Sequence, residues 1–418
     1  MKFHFFHLMP WPDLPGDFQQ KHRSVWVDVP SHLYDPVRGH EVYNDYLDEL
    51  EYAADVGFDG ICVNEHHSNA YGLMPSPNIM AAALARRTSN AALVVMGNSI
   101  ALYNPPIRVA EEFAMLDVIS GGRLVAGFPV GSSMDTNFAY GEVPITLREK
   151  YQEAHDLIIR AWTDPDVFAW NGKFTKLRYV NTWPKPIQKP HPPIWVPGGG
   201  SIETWEWVTQ RGYLYAYLSY FGYKRAAKAM QGFWDEVARQ GQEPNPYRAG
   251  FLQFIALSET DESAEREYAG AADYFYNRCL HVAAGFADAP GYRTMKTVKS
   301  GLMAQIGAAA QRQREGLTWK DFIEQGYIIA GSPQTVRQQL EEVAKGLNVG
   351  HMMLLLHFGN MSKEQVTKNT TLFAREVAPH LKGLFSEWED KWWIEPLAER
   401  DRRAPAPGAG APVQSEVR

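Results

Sequence analysis

The chain has 418 residues, 45% of them hydrophobic, and a formal net charge of −7. That length can bury a large core without disulfides or metals to hold it together. The mild acidity argues against nucleic acid or an anionic membrane as the main partner, since both require a concentrated basic surface. In chain order, Phe3–Met9 reads as a strand, and Glu41–Val56 as a helix stopped by Gly57. Asp59–Val63 is a short apolar run, and Pro77–Thr88 a helix that Ser76 can cap. Leu93–Met96 is strand-like, Pro105–Ile119 helical up to Gly121-Gly122, Leu124–Phe128 strand-like and Thr146–Trp162 helical. The rhythm continues through Ile194–Val196, Ser201–Arg211, Leu214–Leu218, Tyr223–Arg239 and Phe251–Leu257, then His351–Leu356 and Lys363–His380.

Strand followed by helix, repeated about eight times, predicts a parallel sheet covered by helices, and the repeat number favours a closed (β/α)8 barrel. No GxGxxG opens a first βαβ unit, which lowers the open dinucleotide-binding alternative. A single domain over residues 1–400 is expected, with insertions at about 137–193 and 270–325 and a disordered Pro/Ala/Gly-rich tail at 403–418. Long insertions at the C-terminal ends of barrel strands build lids over active sites; an oligomer contact would use the same composition. Two distant cysteines, Cys62 and Cys279, make no disulfide framework and fit a reducing, cytoplasmic setting. The N-terminal apolar stretch is cut by Pro10 and Pro12, and no segment approaches the roughly 18 apolar residues of a membrane span.

Three places can carry chemistry. Gly60–Val63 runs into Asn64-Glu65-His66-His67, a polar cluster at the expected mouth of the barrel. Neighbouring side chains on a strand point oppositely, so one of the two histidines should face the centre. Both can equally be structural, and no HExxH-type spacing supports a metal. Second, Trp195-Val196-Pro197 ends in Gly198-Gly199-Gly200, after which Ser201 opens a helix and Thr204 lies one turn on. Glycines and a helix N-terminus suit an anion such as phosphate; a plain turn with a capping serine looks the same. Third, Val94-Val95-Met96 leaves its strand into Gly97-Asn98-Ser99, small residues that leave room for a flat ligand.

Taken in order, these segments resemble the luciferase-like flavin monooxygenases. The resemblance rests on Gly57-Phe58-Asp59 through Asn64-Glu65-His66-His67, on Asn104-Pro105-Pro106-Ile107-Arg108, on Ser120-Gly121-Gly122-Arg123-Leu124, and on Gln188-Lys189-Pro190 through Trp195-Val196. It implies a barrel that binds FMN at its mouth, receives it reduced from a separate flavin reductase, and uses O2 to oxygenate a small organic substrate. It places the catalytic histidine at His66 and the cofactor contacts at Asn64, Asn98, Ser99, Gly198, Gly199, Gly200, Ser201 and Thr204. A phosphate-holding tyrosine would be Tyr151, a non-proline cis bond would join Asn98 and Ser99, and a homodimer or higher oligomer is expected. One departure stands out: luciferase has an arginine where this chain has Val130, so another cation serves the phosphate or flavin is held more weakly. Two alternatives share the fold: an F420-dependent hydride-transferring enzyme, and a flavin-binding protein without turnover.

Overall fold

The computed structural model describes residues 1–404 except 132, 219, 283–285, 287–290 and 300–315. Strands β1 (Lys2–Phe6), β2 (Gly60–Val63), β3 (Ala92–Val95), β4 (Leu124–Gly127), a hairpin of β5 (Phe168–Asn171) and β6 (Lys176–Val180), β7 (Ile194–Gly198), β8 (Leu214–Tyr217), β9 (Ala249–Leu257), β10 (Ile328–Gly331) and β11 (His351–Leu355) follow in order. Eight of them close a parallel ring, β11-β1-β2-β3-β4-β7-β8-β9, completed by β9 pairing with β11. The fold is the expected (β/α)8 barrel. Strand β10 lies beside the outer half of β9, with Ile328 opposite Phe254 and Gly331 opposite Leu257.

The helices that matter below are α1 (Phe18–Lys21), α2 (Pro36–Asp55), α3 (Pro77–Arg87), α4 (Ile107–Ser120), α5 (Met134–Tyr140), α6 (Leu147–Thr163), α7 (Ile202–Arg211) and α8 (Gly222–Arg239). Helix α2 begins before the expected Glu41 because Asp35 caps it, accepting from Val37 N–H at 2.8 Å, and Pro36 fits the first turn. Strand β10 and the helix Pro333–Leu347 are absent from the elements expected on periodicity, since Ile-Ile-Ala-Gly is too short a run to register. The stretch 137–193 holds α6 and the β5–β6 hairpin. Parts of 270–325, and residues 405–418 of the tail, lie outside the described residues.

Every residue of β2, β3 and β4 is buried, as both faces of a barrel wall must be. Arg123 explains the Ser-Gly-Gly-Arg turn before β4. Its guanidinium donates to Ala85 O, Thr88 O and Ala91 O at 2.7–3.0 Å, gathering the carbonyls at the end of α3. The N-terminal end of the barrel is plugged. His4 and His351 stack with ring centres 5.3 Å apart, Trp195 meets both edge-on, and Trp393 covers them. The indole of Trp195 donates to Trp392 O at 3.0 Å, so the terminal tryptophans fasten the C-terminal segment across that mouth.

Candidate functional site: a polar cavity at the barrel mouth

A cavity of about 340 Å3 opens at the C-terminal ends of the strands. Successive strands supply its wall: Phe6 at the end of β1, Asn64, Glu65 and His66 after β2, Gly97 and Ser99 after β3, Val130 and Gly131 after β4, and Gly198 and Gly199 at β7. Ser201 and Thr204 of α7 close one end, with Tyr292 and Arg293 from the long insertion. Of the residues expected from sequence, His66, Asn64, Ser99, Gly198, Gly199, Ser201 and Thr204 therefore meet around one space.

Three do not line it. Tyr151 is 2% exposed, and its hydroxyl donates to Phe128 O at 2.9 Å inside the wall. Asn98 is fully buried and donates to the Tyr103 hydroxyl at 2.9 Å. Gly200 holds φ 95°, a conformation open to glycine, and its N–H is taken by the Tyr215 hydroxyl at 3.1 Å. Its role is to shape the turn. The cis bond expected between Asn98 and Ser99 is also corrected: the cis bonds among the described residues all precede prolines, at 105, 184 and 190. Both amides are satisfied in the trans chain, Asn98 N–H by Gly127 O and Ser99 N–H by Glu65 Oε2.

Glu65 ties the mouth together. Its Oε2 takes the Ser99 N–H at 2.9 Å, and its Oε1 takes His67 Nε2 at 2.7 Å and the Tyr103 hydroxyl at 3.2 Å. His67 thus turns to Glu65 while His66 faces the cavity, the alternation expected of consecutive residues. Gly97 is required here, because a Cβ would lie 2.6 Å from Glu65 N. Asn64 donates to His7 O at 2.8 Å, leaving its buried Oδ1 without a partner beside the cavity. An acceptor left bare in this way suits the N–H edge of a flat heterocycle.

The other end is built for an anion. Helix α7 begins at Ile202; Ser201 does not cap it, and the Ile202 N–H donates to Thr297 Oγ1 at 3.2 Å. Arg148, in the first turn of α6, reaches Ser201 Oγ at 3.2 Å and Thr204 Oγ1 at 3.4 Å, and its Nε has no partner. Its charge acts on the nearby Glu203 carboxyl, and the Tyr292 ring lies 5.1 Å from its guanidinium. Sequence reasoning missed Arg148: it is one of 41 basic residues, with no spacing to mark it. It is a cation beside Ser201 and Thr204, whereas Val130 is an apolar part of the wall. Ser201 Oγ donates to Glu203 Oε2 at 2.7 Å, so the donors left for the phosphate of FMN are the Arg148 guanidinium and the Thr204 hydroxyl.

Among the described residues, one group could gather a metal: His7, Glu49 and His357, all buried. Their hydrogen bonds argue for a structural role. Met9 N–H donates to His7 Nδ1 at 2.8 Å, so His7 Nε2 carries the hydrogen and donates to Glu49 Oε2 at 2.9 Å. His357 Nδ1 meets the same oxygen at 2.7 Å. Burial holds His7 down at about 4, against an ordinary 6.5. Burial alone would raise Glu49, but His357 and His7 outweigh it and hold the carboxyl at about 2. Both shifts act in one direction. The unfolded chain binds protons that the folded one refuses, for His7 below about 6.5 and for Glu49 below about 4.5. The melting temperature is expected to fall steadily as pH drops from 6.5 towards 2. Glu49→Gln should flatten the lower part of that fall and lose about 2–3 kcal/mol at neutral pH. Calorimetry across pH on both proteins checks this.

A second cavity, of about 440 Å3, adjoins the first through His66 and is lined by Trp11, Leu14, Val29, Leu33, Tyr34 and Leu73 among others. No helix among the described residues is long and apolar enough to cross a membrane.

Comparison with known proteins agrees with this architecture. A limonene 1,2-monooxygenase of Rhodococcus erythropolis is 25% identical over 358 residues, 85% of each chain. The FMN-bound oxygenating constituent of 3,6-diketocamphane monooxygenase from Pseudomonas putida superposes with a TM-score of 0.69 at 16% identity, over 91% of this chain and 98% of that one. An F420-dependent secondary alcohol dehydrogenase, holding an F420–acetone adduct, superposes with a TM-score of 0.63 at 16% identity, over 90% and 98%. At those identities the superpositions speak for the fold alone. The sequence profile of the luciferase-like monooxygenases matches residues 22–348, and the chain belongs to that family.

Proposed function

We propose that this protein is the oxygenase of a two-component system, taking FMNH2 from a separate reductase and using O2 to oxygenate a moderately apolar organic compound. The observation that carries the reading is Arg148, with its Nε unpartnered, set against Ser201 and Thr204 at one end of the cavity that holds His66 and Asn64. Reduced FMN, when bound, supplies the electrons that activate oxygen.

The chain's own residues do the rest. Arg148 and Thr204 hold the phosphate, and the bare Oδ1 of Asn64 accepts from the ring system. His66 takes a proton at the reacting end. The apolar side chains of Phe6, Trp26, Leu218 and Phe221 exclude water and favour an apolar substrate. The oxygenases among the relatives support this choice of chemistry.

The F420 enzyme of similar fold keeps a hydride-transfer reading in play. Parallel titrations with FMN and F420, followed by fluorescence, separate the two. FMN binding, with product that incorporates 18O from 18O2 in a substrate screen supplied with FMNH2, is the expected result. Tight F420 binding with indifference to oxygen would overturn the proposal.

A further inference from the structure

His66 meets a carboxylate on the side away from its free edge. Its Nδ1 lies 3.1 Å from Asp135 Oδ2, and Asp135, in the first turn of α5, has a fully buried side chain. The same oxygen accepts from Asn69 Nδ2 at 2.9 Å and is approached by His67 N–H at 3.4 Å. Burial by itself would raise the Asp135 carboxyl, but the hydrogen bonds it accepts, from His66, Ser133 and the Thr136 N–H, bring it below the ordinary value. An ionised carboxylate only accepts hydrogen bonds. The hydrogen between the two groups therefore sits on His66 Nδ1.

The imidazole is also fixed in orientation. Tyr71 meets it edge-on with ring centres 4.6 Å apart, and a Cβ added to Gly72 would lie 3.1 Å from its Cδ2. Its Nε2 has no hydrogen-bond partner among the described residues, and the ring lines both cavities. A neutral imidazole carries one hydrogen, so fixing it on Nδ1 leaves Nε2 as a lone pair.

We infer that Asp135 is a positioning residue that holds neutral His66 as the Nδ1–H tautomer, so that Nε2 meets the bound molecules as a proton acceptor. In its neutral form His66 thereby presents a lone pair at Nε2 and donates there only after taking up a proton. The tautomer follows from the protein alone; its catalytic consequence rests on the oxygenase reading above.

The test begins with the wild-type protein free of flavin. Long-range 1H–15N correlation spectra of histidine-labelled protein, with His66 assigned by loss of its signals in His66→Gln, report which ring nitrogen carries hydrogen. Protonated Nδ1 with bare Nε2 is expected; the reverse overturns the inference, whether or not any variant folds. Asp135→Leu, which removes the acceptor at similar volume, is expected to restore the Nε2–H form, and Asp135→Glu to keep the Nδ1–H form. A substrate assay then reads the consequence: kcat lower by about 10- to 100-fold in Asp135→Leu, FMN affinity within threefold of wild type, and recovery in Asp135→Glu. Unchanged kcat in a folded Asp135→Leu whose tautomer has switched would overturn the catalytic part. Should the protein prove to use F420, the oxygenase reading would fall while the tautomer result stood.

Discussion

Replacing Arg148 by methionine is expected to weaken FMN binding by about 30- to 1,000-fold. Arg148 is held against Ser201 and Thr204, with the Glu203 carboxylate on the far side of the Ser201 hydroxyl. Charge-assisted hydrogen bonds contribute roughly 1.5–3 kcal/mol each. One or two lost to a phosphate amount to about 2–4 kcal/mol, and about 1.4 kcal/mol is tenfold in affinity. Methionine keeps an unbranched apolar stem but loses the contact of the guanidinium with the Tyr292 ring. Riboflavin, which lacks the phosphate, provides the control: its affinity should be nearly the same for Arg148→Met and wild type. Arg148→Lys should recover part of the FMN affinity, since lysine restores charge without the planar fork. Fluorescence titration of both flavins against all three proteins makes the measurement. Equal loss for FMN and riboflavin would mean that the residue supports the fold and not the phosphate.

His66→Ala is expected to lower kcat by about 100- to 10,000-fold, the usual worth of a positioned acid–base group. FMN affinity should stay within about threefold, because the phosphate grip lies at the other end of the cavity. His67→Ala makes the informative comparison. His67 is bonded to Glu65, which in turn holds the Ser99 N–H, so its loss should show first in thermal stability. Single-turnover product formation with supplied FMNH2 separates the two. If His66→Ala turned over like wild type while His67→Ala did not, the roles assigned to the neighbours would have to be exchanged.

The places where sequence reasoning stopped share a cause. The meeting of Ser201 and Thr204 at one corner of the cavity was legible because both sit on one local element, a glycine turn entering a helix. Arg148 was not, because it comes from α6, 53 residues earlier than Ser201, and only folding sets the two 3.2 Å apart. Tyr151 failed as a phosphate ligand for the converse reason. Its position in α6 is right in sequence, but its hydroxyl points into the wall and donates to Phe128 O. Asp135 gave no signal at all, being an ordinary acid near the start of a short helix. The cis bond implied at Asn98–Ser99 is absent because Glu65 and Gly127 already satisfy those amides in the trans chain.

By itself the sequence determined the alternation of strands and helices, hence the barrel, and with it the end at which a ligand binds. Those features depend on periodicity and on residues adjacent in the chain, whose geometry the backbone dictates directly. Tertiary structure alone decided which cation stands beside Ser201 and Thr204 and which carboxylate meets the His66 imidazole. Each of those is a pairing across tens of residues, and a hydrogen bond is made only within about 3 Å, a tolerance that only the closed barrel can set.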